Sequence, residues 1–306
     1  MVKNVKTYLP PVNSSLQEGT KVSSKGVEGL EYLEGAAKWF KVRAVSIVLV
    51  FVGVAVATVA SLQMIRGLGG PTQPTEIAKV MATSAINALP RVLITSVFDA
   101  AWVALLALPL ANLARYFRVS SGAVVAGVVA PAIAHPLALA LMYNWLMSRV
   151  YVAVKDFIRA HMSEFATAFM SRNVNLIIKL TAELNQAVSQ ALLPAYLVSL
   201  ITLVPLVIAT YLVAKLSNVV KASSIKALWI FYVISIVITL LTQLVARVST
   251  NFGLLMVISA LGTLAFVIYI VIAVLEWLTG SRIKDYVASV RESIKEAELI
   301  ESGGSG

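Results

Sequence analysis

Residues 121–147 read SGAVVAGVVAPAIAHPLALALMYNWLM, residues 148–190 read SRVYVAVKDFIRAHMSEFATAFMSRNVNLIIKLTAELNQAVSQ, and residues 191–215 read ALLPAYLVSLITLVPLVIATYLVAK. The outer two segments are apolar throughout and carry the roughly 20 residues a helix needs to cross about 30 Å of hydrocarbon. The middle segment changes character without changing period. Val150, Val154, Phe157, Ile158, His161, Phe165 and Phe169 keep helical spacing while charges fill the other faces. After a polar turn at Arg172, Asn173, Val174 and Asn175, the residues Leu176, Ile177, Leu180, Leu184 and Val188 form a second stripe. The pattern predicts two oversized helices that leave the lipid and zip together in solvent through these stripes. Each wet arm of about 20 residues reaches about 30 Å at 1.5 Å per residue.

Similar apolar runs recur on both sides of this hairpin. The expected fold is all-α: a polytopic membrane bundle with spans at about 44–64, 92–113, 121–147, 191–214, 227–246 and 253–278, and an extramembrane hairpin at 148–190 between spans three and four. Composition agrees. Apolar residues make up 59% of the 306, charged residues 13%, and mean hydropathy is +0.86, whereas a soluble domain carries roughly 25% charge. A β-barrel is rejected because period-2 alternation is absent.

Residues 1–43 form a polar tail and an amphipathic lead-in. Val27, Leu30, Leu33, Ala37 and Phe40 lie on one face, with Glu28, Glu31, Glu34, Lys38 and Lys41 on the other. This helix reads either as a plain approach to the first span or as a membrane-sensing element. The first span reads as an uncleaved anchor. Residues 67–74 hold Gly67, Gly69, Gly70, Pro71 and Pro74, a turn, and Thr75 is an N-cap candidate for the next helix. Residues 279–306 read as an amphipathic helix with a flexible tail. Six spans put both termini on one side. Taking that side as cytoplasmic places 16 of the 25 Lys and Arg residues there, as the positive-inside rule favours.

The chemistry-bearing groups are few. There is no Cys, and only two His, so thiol chemistry and a His-rich metal site are excluded; no cofactor is expected. No phosphate loop, His-Glu-x-x-His, Gly-x-Ser-x-Gly or K⁺ selectivity filter occurs, so the chain is expected not to be an enzyme or a standard K⁺ channel. Asp99 lies within the second span, where an ionisable side chain is costly and faces a bundle interior or water. His135 lies between Pro131 and Pro136, whose missing N–H groups loosen a helix; Pro90 and Pro109 are further expected breaks. Asp99 with His135 reads either as a proton- or ion-coupling site or as part of a structural polar pair, Asp99 with His135 or Asp99 with Arg91. Gln243, Thr239 and Thr242 read as bonds across to a neighbouring helix or as pore lining. Glu276 beside Trp277 reads as an interfacial carboxylate. The net charge of +10 suits binding to anionic lipid or attraction of a polyanion such as DNA.

With the hairpin at 148–190 in place, the topology resembles the polytopic inner-membrane subunits of type IV secretion and conjugation machines, the TrbL/VirB-type family. It also resembles the membrane subunit of archaeal DNA-import (Ced-type) systems. That resemblance implies a homo-oligomeric ring or platform in the inner or plasma membrane, beneath a filament of pilin-like subunits and served by a separate cytoplasmic ATPase. It assigns no residue a role. The readings that remain open are a translocation-machine subunit, a coupled transporter or channel using Asp99 and His135, and a non-conducting membrane scaffold built on residues 27–40 and 282–300.

Overall fold

A computed structural model describes residues 25–66, 82–83, 86–171, 173–248 and 252–303. Helices and their short connections make up all of it, and no strand occurs among the described residues. In chain order the helices are α1 (Lys25–Val45), α2 (Val48–Arg66), α3 (Ala88–Ala104), α4 (Ala107–Tyr116), α5 (Ser121–Leu141), α6 (Tyr143–Met170), α7 (Val174–Ala191), α8 (Leu193–Ser199), α9 (Leu203–Val219), α10 (Ser223–Val248) and α11 (Phe252–Gly303). A 3₁₀ turn, Leu200–Thr202, joins α8 to α9. The expected turn at 67–74, the Thr75 cap and the polar tail before residue 25 lie outside the described residues.

Among the described residues, six stretches are long and apolar enough to cross a membrane: Gly29–Ala60, Leu89–Tyr116, Ser121–Leu141, Leu193–Val219, Ser223–Thr242 and Thr263–Glu296. Only 22% to 33% of each is buried inside the molecule. Most of their Val, Leu and Ile side chains therefore point outward, which suits hydrocarbon and not water. The protein is a six-span helical membrane protein.

The spans pack in chain order. α1 and α2 lie against α4 and α3, these lie against α5, α5 against α9, α9 against α10, α10 against α11, and α11 returns to α1. The six spans thus close into a ring. Its interior is filled: α4 touches α9, and Leu106, Leu110, Leu113, Val128, Leu212, Leu216 and Tyr232 share one buried core.

Local chemistry sets the helix ends. Ser120 caps α5 by accepting a bond from the Ala123 N–H at 3.3 Å. Just before it, Arg118 takes a left-handed conformation (φ 54°) and the Val119 N–H returns to the Ala114 carbonyl at 2.8 Å, closing α4 with a Schellman-type turn. Asn173 caps α7 through the Leu176 N–H at 3.1 Å.

Several elements differ from the sequence reading. Spans three and four are each divided: α5 gives way to α6 at Met142, and the return helix is split at Leu192 and again at the 3₁₀ turn. Span six and the terminal amphipathic segment are, by contrast, a single 52-residue helix, about 78 Å long at 1.5 Å per residue. It outruns the hydrocarbon and continues as a rod. The amphipathic face of α1 packs on that rod and on α4, burying Leu30, Leu33, Ala37 and Phe40 against a core that includes Ile283 and Val287. Its partner is protein and not lipid.

α6 and α7 pack against each other, with Phe165, Ala168 and Leu180 buried toward the tip and Leu146, Val150, Val154, Leu184 and Val188 toward the base. Neither helix is among the six candidate spans. α6 bends at His161 (φ −111°, ψ 18°). The base of the pair also touches α3, α10 and α11, at the end of the ring opposite the α1–α11 rod.

Candidate functional site

The interior of the ring holds a charged pair. The break between α1 and α2 prepares it. At Ser46 and Ile47 the helix tightens, and the Ile47 N–H bonds to the Ala44 carbonyl. The carbonyl of Arg43 therefore loses its usual helical partner. It accepts instead the Ser46 hydroxyl at 2.7 Å and the Trp102 indole N–H at 3.3 Å. The Arg43 Nε donates back to the Trp102 carbonyl at 3.3 Å, and its guanidinium lies 3.9 Å from the centre of the Trp102 ring. α1 and α3 are thus locked by two reciprocal bonds and a cation–π contact.

The free end of that guanidinium, Nη1, pairs with Glu276 Oε1 from α11. The Tyr232 hydroxyl of α10 donates to the same oxygen. The two charged side chains are 2% and 0% exposed. Burial of this kind strips both ions of water, and their mutual attraction only roughly repays that cost. A well-packed apolar pair would hold the ring as well, so stability alone does not account for the charges. Two polar atoms nearby are buried without a partner among the described residues: the other oxygen of Glu276, Oε2, and the hydroxyl of Thr279 one turn further along α11.

A cavity of about 40 Å³ adjoins the pair. Arg43, Thr202, Tyr232, Thr239 and Tyr269 line it together with Trp102, Leu106, Leu206 and Ile272. Its lining comes from five of the six spans, which places it on the axis of the ring. Tyr269 lies 5.3 Å from Trp102, ring centre to ring centre.

Neither family models, curated proteins nor solved structures match the chain. The site is therefore described by its own residues.

The groups singled out by sequence lie around this axis in different ways. Asp99 is half-buried on α3 and has neither a hydrogen bond nor an ion pair among the described residues. His135 is half-buried on α5, likewise without one. The two helices are neighbours, but no bond joins the two side chains. Arg91 is exposed in the first turn of α3, next to Pro90. Pro109 occupies the first turn of α4, just after the interruption at Leu105 and Leu106. The breaks expected at Pro131 and Pro136 do not occur: α5 runs through both without interruption, so the chain stays helical on both sides of His135. Thr239 and Thr242 donate to carbonyls of their own helix, Ser235 and Ile238, and Thr239 reaches the cavity wall. The side chain of Gln243 lies outside the described residues.

Arg43 and Glu276 are what the sequence reading missed. Arg43 closes the polar lead-in and draws no role of its own there. Glu276 stands beside Trp277 and so reads as interfacial, whereas the structure buries it completely. A signal existed: Glu276 is the sole charged residue between Arg247 and Arg282. A lone carboxylate in so long an apolar run calls for a buried cation.

Proposed function

We propose that the chain is a non-catalytic pore or platform subunit of a membrane translocation assembly, with the α6–α7 hairpin as its docking arm. The hairpin carries the reading. It has its own small apolar core, exposes Arg149, Lys155, Arg159 and Lys179 around it, and is not needed to close the ring. A solvated arm of that length is costly to order and is useful when something binds it. The assembly fits the plasma or inner membrane with both termini cytoplasmic. The hairpin then faces outward, toward further copies of the chain or pilin-like subunits. The α1–α11 rod faces inward, where a separate ATPase would act. The basic hairpin would suit DNA as cargo, since attraction to phosphate is generic.

The scaffold reading loses much of the feature that motivated it, because Leu30, Leu33, Ala37 and Phe40 share a core with Ile283, Val287, Val290 and Ile294. The docking-arm reading is tested by replacing residues 156–183 with a short Gly-Ser turn, which spares the basal contacts of Leu146, Val150 and Val188. The ring should keep its thermal stability in detergent, while the native mass of the purified assembly should fall toward a single chain. An assembly of unchanged mass would refute the arm's role.

A further inference from the structure

We propose that the axis of the six-span ring is a proton path, held shut by Arg43, in which Glu276 is the buried acceptor. The proposal stands on the axial cavity and its wall and is independent of the platform reading. Four observations carry it. The charged pair is wholly buried at the centre of a bundle that apolar residues could have filled. Ionisable groups at such positions mark ion and proton routes. Glu276 Oε2 and the Thr279 hydroxyl are buried and unpartnered, so hydrogen-bonding capacity is left open on the side toward the chain termini. On the other side the cavity has room for about two or three waters, and the hydroxyl-bearing residues Thr202, Tyr232, Thr239 and Tyr269 are among those that line it. Asp99 stands on α3 one turn before Trp102, which lines the cavity, and adds a second carboxylate to this part of the bundle.

The transfer balances with protons and water alone. A water in the cavity gives a proton to the Tyr232 oxygen as the Tyr232 hydroxyl passes its own proton to Glu276 Oε1. The hydroxide left on the water is neutralised by a proton relayed from the Asp99 carboxyl through Tyr269. Asp99 then recovers a proton from water on its own side. The protonated Glu276 carboxyl turns about its Cγ–Cδ bond, which carries the proton to the side of Thr279, and gives it to the Thr279 oxygen as the Thr279 hydroxyl passes its own proton to water on the side of the chain termini. In the resting state Arg43 opposes this sequence. Its guanidinium stabilises the Glu276 carboxylate and repels a proton approaching through the cavity.

The test uses the full chain in liposomes loaded with a pH-sensitive dye, with a potassium diffusion potential as driving force. Wild type should acidify slowly. Arg43→Gln should acidify about tenfold faster, the rate change expected when a barrier falls by about 1.4 kcal/mol. Arg43→Gln/Glu276→Gln should return to the wild-type rate, because the acceptor is gone. A pair with a structural role alone would give a leak that the second substitution does not reverse. The proposal is overturned if Arg43→Gln is no faster than wild type, or if the double variant leaks as fast as the single one. If Arg43→Gln is not recovered folded, Arg43→Met replaces it. That variant keeps most of the side-chain bulk and removes the charge, and a rate equal to wild type would then overturn the proposal.

Discussion

Two helix pairs extend from the six-span ring at opposite ends, and they are built differently. At one end α1 lies along the C-terminal half of α11, with backbones in close approach. A Cβ added to Gly280 would stand 2.6 Å from the Ala37 carbonyl oxygen. Arg291 pairs with Glu34 at 2.7 Å across the same contact. Ile283 and Val287 belong to the core that also holds the ring together. At the other end α6 and α7 meet through apolar side chains in two clusters apart from that core, one of them shared with Leu89, Leu139 and Ala195 of the spans, and Arg149 Nε donates to the Ala191 carbonyl at 3.4 Å. The first pair shares the core of the ring, and the second has one cluster, Phe165, Ala168 and Leu180, outside that core. Proteins open in such units, each with its own free energy. Changes in the rod should therefore register throughout the ring, and changes in the arm should remain in the arm.

The largest effect should come from the anchor of the rod. Glu276→Ala leaves Arg43 buried without its counter-ion, and breaking a buried pair in this way costs about 3–5 kcal/mol. Thermal unfolding in detergent should show one cooperative transition at a clearly lower temperature. Arg43→Met/Glu276→Leu should recover most of the loss, because removing both charges also removes their desolvation cost. A double variant no better than the single one would show that the pair contributes stability of its own.

A smaller and confined effect is expected in the arm. Leu180 is fully buried in one cluster with Phe165 and Ala168. Leu180→Ala should cost about 2–3 kcal/mol, the low end of the range for Leu truncation, since a small cluster can collapse into the gap. Hydrogen exchange should quicken in α6 beyond the bend at His161 and in α7 before Leu184, with α9, α10 and α11 unchanged. If protection fell across the ring as well, the arm would not be a separate unit.

The same contrast explains what the sequence revealed. The six spans were legible because a run of about 20 apolar residues has few other uses. The pairing of α6 with α7 was legible because Val150, Val154, Phe157 and Phe165 keep a helical period through charged sequence, and a stripe of that kind needs a partner. The stripe of α1 was equally visible, but its partners were not. They lie far along the chain, on α4 and on the C-terminal half of α11, and nothing local in the sequence encodes that pairing. Glu276 was misplaced for a related reason. The end of the sixth apolar run reads as the edge of the membrane, but α11 continues unbroken and Glu276 faces the interior of the ring. Depth along a helix follows from what packs beside it, and for Glu276 that is Arg43, at the other end of the chain.

The smallest effect compares two close approaches between helices. Gly280 on α11 and Gly127 on α5 both sit inside helices, where Ala is intrinsically better by about 0.5–1 kcal/mol. The neighbours decide the sign. At Gly127 the new Cβ would meet Ile208 Cδ1 at 2.6 Å, the far end of a side chain that can turn aside. At Gly280 it would meet the Ala37 carbonyl oxygen, which is fixed by α1, and Lys41 Cγ at 2.9 Å. Gly127→Ala should therefore change stability by no more than about 0.5 kcal/mol, whereas Gly280→Ala should cost about 1–2 kcal/mol as α1 is pushed off α11. Paired thermal unfolding curves would measure the difference. Equal shifts would mean that the rod yields as easily as the α5–α9 contact does, and the distinction between a fixed rod and a separable arm would then rest on the arm alone.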